Sequence, residues 1–280
     1  MNRSPQDEVP PRRAFLWLGV LLVVVAALYG RSLGFPFIGF DDTQLIVDNQ
    51  AFLADPGHIG QAFRQHAWTS PTADGAGAYY RPLLVLSLMW DAQWGGARPL
   101  GYHVTNLLLH ALAAFLACLL FARLGASPTV AFFLGLLVAV HPALAEVVAW
   151  VPGRNESLLR VFVTASMLAL DRHARRRDRR SLCAHLALSL AALLTKEHAV
   201  ALALAAPAFL WLVRGERLGA YARLWLGWGL ILCVWMVARH YALRTPLPVA
   251  PADLLANAWA NLLVPIHYAG KALVPVALSA

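Results

Sequence analysis

The sequence predicts an all-α fold: a polytopic membrane protein with about eight transmembrane helices in one domain over residues 1–280. Three observations carry that expectation. Hydrophobic residues make up 59% of the chain and mean hydropathy is +0.58, more apolar than a soluble domain of this length. Several apolar runs approach the roughly 20 residues that cross a bilayer. The formal net charge of +8 comes largely from arginines in short loops between those runs, where they act as topology signals and not as a nucleic-acid footprint. No nucleic-acid partner is expected.

The spans are placed at 14–30, 100–123, 128–149, 155–171, 181–195, 198–213, 223–241 and 257–277. The first follows Arg12-Arg13 and lacks a small-residue cleavage site, so it is read as an uncleaved helix. The third contains Pro142, which should kink or end a helix there. The fifth and sixth are short and separated only by Lys196-Glu197-His198. Short or broken helices at membrane depth need protein or water around their loose backbone groups, which fits a cavity open to one face.

Charge orients the chain. Alternating sides bring Arg3, Arg12, Arg13, Arg123, the run Arg172–Arg180, Arg214, Arg217 and Arg223 to one face. By the positive-inside rule that face is cytoplasmic, and the N-terminus lies inside. Arginine outnumbers lysine 21 to 2, and with the abundant Ala and Leu this points to a bacterial inner membrane. The three cysteines fall in apolar runs without paired or metal-binding spacing and read as packing residues.

The outer face receives the loop 31–99, the stretch 141–154, residues 196–198 and residues 239–244. Within the long loop, Gly57–His66 and Tyr80–Trp90 read as interfacial helices joined by a Gly/Pro/Ser/Thr-rich loop at 69–78. Candidate chemistry gathers on this face. Asp41 and Asp42 either cap a helix starting at Thr43 or supply a general base. Arg81 either anchors a surface helix or binds a lipid phosphate. His103, Asn106 and His110 share one helical face, and interhelical hydrogen bonding is the favoured reading. The two histidines are about 10 Å apart along a helix, too far to share one metal. His141, Glu146, Arg154 and Asn155 interrupt an apolar region, and Arg154 at a helix start could bind phosphate. Lys196 and Glu197 could do likewise or form a local ion pair.

The ordered set FDD, YRPL, GYHVTNLLLHA, HPALAEVVAWVPGRNESLL and LLTKEHAV resembles the TMTC family, membrane O-mannosyltransferases of the GT-C glycosyltransferase class. The resemblance runs from about Gly39 to His198. It implies transfer of a sugar, typically mannose, from a polyprenyl-phosphate donor to a protein Ser or Thr hydroxyl on the extracytoplasmic face. It maps the acidic motif of the first outer loop onto Asp41-Asp42, with Asp41 preferred as the base because the first acidic position often serves. Arg81, Arg154 and Lys196 become candidates for holding the donor phosphate. His103, Asn106, His110, His141, Glu146, Asn155 and Glu197 are expected to line the pocket. A monophosphate leaving group needs cations more than a proton donor, so no metal and no cofactor are expected. A single displacement should invert the anomeric centre. The family also implies further spans and tetratricopeptide repeats, so the domain is expected to be incomplete at its C-terminus. The partners implied are the lipid-linked sugar donor, a protein acceptor and membrane lipids. Two other classes fit the same polar set: a transporter or flippase for a lipid-linked or anionic substrate, and a non-catalytic membrane scaffold.

Overall fold

A computed structural model describes residues 9–68, 79–243 and Gly270. Among the described residues every regular element is helical. Helix α1 (Pro11–Tyr29) opens with a proline at its first position, where the missing N–H costs nothing and the fixed φ suits a helix. Its Trp17, Leu21 and Val25, four residues apart, are buried, while Phe15, Leu16, Val23 and Leu28 are exposed. Both faces are thus apolar. Short helices α2 (Gln50–Ala54) and α3 (Ile59–Ala62) follow, then α4 (Pro82–Gly95). The long α5 (Pro99–Leu124) ends on Gly125 at φ 108°, a left-handed closure that glycine adopts readily.

Helix α6 (Pro128–Val140) stops just before Pro142, as the ring's steric demand requires. A 3-10 turn, the short α7 (Ala145–Ala149) and a second 3-10 turn lead into α8 (Arg154–Arg176). Helix α9 (Arg179–Thr195) is followed by a 3-10 turn, α10 (Leu202–Ala208), a π-helical turn and α11 (Ala222–Leu243).

These elements bury three main apolar clusters. One joins α1, α5, α6 and Val148. A second joins α8, α9, α10 and α11. The third lies under the first loop, where Leu45, Ile46 and Leu53 meet Leu84, Leu88 and Tyr102. Helices α5 and α6 approach closely through Gly135: a Cβ there would stand 2.0 Å from Cys118 Sγ and 2.9 Å from the Ala114 carbonyl. Gly135→Ala should therefore cost about 1–3 kcal/mol, the range for overpacking, read as a lower thermal midpoint in detergent. Cys118→Ala should recover part of the loss, since it removes the nearer atom.

Among the described residues, three helices are long and apolar enough to cross a membrane, or four if α6 and α7, bent by 53° at Pro142, form one broken span, where eight spans are expected over the whole chain. The predicted fourth span does form a 23-residue helix, α8, but it carries many charges. The fifth, α9, has 17 residues, and the sixth is a shorter apolar segment of mixed helix types, Glu197–Val213. The eighth lies outside the described residues. In the first loop, the helix expected over Gly57–His66 is only a 3-10 turn and the four-residue α3. The expected Tyr80–Trp90 helix forms as α4, and the joining loop 69–78 lies outside the described residues.

Candidate active site

The end of α8 that begins at Arg154, the end of α9 and the first loop enclose a cavity of about 270 Å³. Its polar walls come from Asp41, Glu146, Asn155, Glu156 and Lys196, and its aromatic walls from Trp68 and Trp150. Residues separated by more than 150 positions thus meet in one small space. The backbone ahead of Asp41 is strained: Phe40 holds a left-handed φ of 63°, which costs a residue with a Cβ about 1–2 kcal/mol.

The two neighbouring aspartates face different surroundings. Asp41 lines the cavity, and its Oδ1 accepts a hydrogen bond from Trp68 Nε1 at 3.3 Å. Asp42 is buried, and its Oδ2 accepts the Ile38 N–H at 2.8 Å. Neither side chain caps the turn that starts at Thr43, because Asp42 bonds backward to Ile38. Burial pushes the Asp42 carboxyl up to about 6, the charge of Asp41 adding to the rise and the Ile38 hydrogen bond opposing it. A carboxyl whose folded value is raised favours folding while protonated, and that advantage is lost as pH rises from about 4 through about 6. Asp42→Asn keeps an oxygen for Ile38 and cannot ionise. It should flatten the fall in stability across that window, a difference of up to about 3 kcal/mol, measured by thermal unfolding in detergent at several pH values.

Lys196 stands in extended backbone between α9 and the following turn. Its ammonium pairs with Glu156 in the first turn of α8. Glu197, one residue on, pairs instead with Arg81, whose Nη2 and Nε donate to Glu197 Oε2 at 3.1 and 3.3 Å. The local Lys196–Glu197 ion pair weighed from sequence is thereby replaced by two long-range ones. The Arg81 guanidinium lies over the Tyr79 ring at 4.3 Å and the Trp68 ring at 5.7 Å. Arg81 therefore sits behind the Trp68 wall and is not itself a lining residue.

Arg154 is placed differently from the expected phosphate contact. It is fully buried and forms an ion pair with Asp91 at 2.6 Å. It donates to Asn106 Oδ1 at 2.8 Å, the Tyr102 carbonyl at 2.7 Å and the Ser87 carbonyl at 3.1 Å. All three guanidinium nitrogens are engaged, so the charge is turned into the core between α4, α5 and α8. Asn106 completes this brace by donating to the carbonyls of Trp150 at 3.0 Å and Val148 at 3.3 Å. His110 Nε2 reaches the Ala139 carbonyl at 3.0 Å and its ring meets Tyr29 edge-on. His103 is buried edge-on against Phe35. Asn106 and His110 thus hold helix and turn backbones together, and none of the three lines the cavity. His141 Nδ1 accepts the Ala143 N–H at 3.2 Å and caps the turn that follows α6. Glu146 and Asn155 line the cavity.

Four participants were not singled out from sequence: Glu156, Trp68, Trp150 and Asp91. The role of Glu156 depends on Lys196, forty residues away. Asp91, a lone carboxylate in an apolar stretch that reads as helical, was the detectable signal, since such a group requires a cation.

Similarity to known proteins covers part of the chain. It is 35% identical over 174 residues to "Protein O-mannosyl-transferase Tmtc1" of Drosophila melanogaster, covering 62% of this chain and 20% of the relative. It is 32% identical over 179 residues to "Protein O-mannosyl-transferase TMTC4" of Homo sapiens, covering 59% and 24% respectively. A third relative, "Protein O-mannosyl-transferase TMTC3" of Mus musculus, is 34% identical over 154 residues, covering 54% and 16%. The matched region spans about a fifth of the length of these relatives. No family model matches the chain, and no solved structure matches it.

Proposed function

We propose, from the premise that this chain is TMTC-like over about three-fifths of its length, that it is the sugar-transferring portion of a membrane protein O-mannosyltransferase. The observation that carries the reading is the cavity in which Asp41 shares walls with Lys196, Glu156 and Asn155. An acceptor hydroxyl needs a base as it attacks, and a carboxylate within reach performs that task. A departing phosphate needs positive charge where negative charge develops. Lys196 supplies it at the cavity wall. Arg81 supplies it from behind Trp68, on release of Glu197. Arg154 instead fixes the frame that carries Asn155 and Glu156. The acceptor oxygen bonds to the anomeric carbon as that carbon's bond to the donor phosphate breaks, the polyprenyl phosphate leaves as a monoester without metal or cofactor, and the anomeric configuration is inverted.

The membrane arrangement belongs to the same proposal. The apolar helices span a bacterial inner membrane in about eight passes, with the N-terminus in the cytoplasm and the cavity on the extracytoplasmic side. The acceptor is a protein Ser or Thr hydroxyl.

The test is transfer of labelled mannose from polyprenyl-phosphate mannose to a Ser/Thr-rich acceptor mixture in reconstituted membranes. Lys196→Met should lower the rate by about 10²–10³-fold, the usual effect of losing one stabiliser of transition-state charge, without loss of insertion. A rate unchanged by that substitution would remove Lys196 from the phosphate site. Transport of the lipid-linked donor across the bilayer without transfer would favour the flippase reading.

A further inference from the structure

A second, larger cavity lies at the other end of the bundle. It measures about 610 Å³, within the range of cavities that hold small ligands. Its walls are chiefly small and apolar, including Ala14 of α1, Leu119 of α5, Leu168 of α8 and Ala184 of α9, with Arg123, Arg172 and Arg180 also in the lining. On α8, Asn155 lines the candidate active site and Arg172 lines this crevice. Along a helix these are roughly 26 Å apart, close to the thickness of a bilayer's hydrocarbon core.

Arg172 and Arg180 outnumber the one acidic group beside them. Asp178 lies close enough to Arg172 to interact, and its carboxylate also accepts the Ser181 N–H and hydroxyl, each at 2.8 Å, as the cap of α9. Asp171 is buried and pairs with Arg175 and Arg214. Arg172 and Arg180 are exposed.

We propose that this crevice binds one anionic phospholipid of the cytoplasmic leaflet, its headgroup phosphate against Arg172 and Arg180 and an acyl chain between α1, α5, α8 and α9. The proposal rests on the membrane-spanning reading given above but not on the sugar-transfer reading. The pairing of apolar walls with a cationic lining is what distinguishes a phospholipid from a free anion, which would gain nothing from the apolar part. An anionic headgroup is favoured over a zwitterionic one because basic residues near a membrane surface attract negative lipid.

The experiment is lipid retention by the full chain, purified in detergent from vesicles of mixed phosphatidylglycerol and phosphatidylcholine and weighed by native mass spectrometry. About one phosphatidylglycerol per chain should survive washing. R172Q/R180Q should weaken its retention roughly 30-fold, from the usual contribution of each basic residue at an anionic surface. Ala169 of α8 also lines the crevice, and A169F, which fills the apolar part and keeps every charge, should also displace the lipid. Inorganic phosphate at millimolar concentration should not compete.

Equal retention of both lipids, or retention unaffected by either variant, would overturn the proposal. So would retention abolished by inorganic phosphate, which would mark a free-anion site. Carbonate extraction of the chain from membranes would sink the membrane reading as well, whereas a membrane-resistant chain without bound lipid would sink this proposal alone.

Discussion

Asp41→Asn should reduce sugar transfer by about 10²–10⁴-fold, the usual contribution of a positioned general base. The structure makes this a sharper expectation than the sequence could. Asparagine has nearly the same shape, and its carbonyl oxygen can still accept the Trp68 indole bond that Asp41 Oδ1 accepts. The substitution therefore removes the basic lone pair while leaving the wall of the cavity in place. Donor binding should change little, so the loss should appear in kcat more than in KM. Asp42→Asn is the matching control. Its carboxyl is buried and bound to Ile38, so it should retain most of the rate. The two variants would exchange roles if Asp42 were the base, and transfer at the wild-type rate by both would remove the carboxylate mechanism. Insertion and thermal midpoint measured on the same preparations separate chemistry from folding.

That contrast shows which parts of the molecule were legible in sequence. The helical class followed from apolar runs, and the break after α6 followed from Pro142 because a proline acts on its own neighbours. The cavity wall at Asp41, Glu146, Asn155 and Lys196 followed from polar groups gathered on one predicted face. Pairing was not legible. Arg154, Arg81 and Lys196 looked equivalent as cations in apolar surroundings, yet one meets Asp91, one meets Glu197 and one meets Glu156. Those choices depend on how α4, α5, α8 and α9 pack, which no local pattern encodes. The same holds for Asn106 and His110, whose helical spacing was plain but whose partners are distant carbonyls, that of Trp150 after α7 and that of Ala139 in the last turn of α6. The spans were less legible for a related reason. Helix α8 carries many charges, and several of them are satisfied inside the bundle.

Arg154→Met should be the most destabilising single change in the chain. Breaking a buried ion pair by removing one partner costs about 3–5 kcal/mol, because the other charge stays buried and unmatched. Here the loss extends beyond Asp91: Asn106 Oδ1 and the carbonyls of Tyr102 and Ser87 would also lose their donor. Burial already pushes the Asp91 carboxyl up, and the Arg154 charge is the main influence pulling it down. Without Arg154, Asp91 should therefore hold its proton to higher pH. The variant should be least unstable in acid and lose stability as pH rises through the Asp91 transition. Adding Asp91→Leu should recover much of the loss, since replacing both partners by apolar groups is often near neutral. Arg154→Lys should not rescue, because an ammonium cannot reproduce the guanidinium fork. Thermal midpoints across a pH series would distinguish this brace from a phosphate ligand. A ligand role predicts an unchanged midpoint, a raised KM for the donor and no recovery from Asp91→Leu. The brace predicts the reverse on all three, with activity lost only as far as the frame around Asn155 and Glu156 loosens.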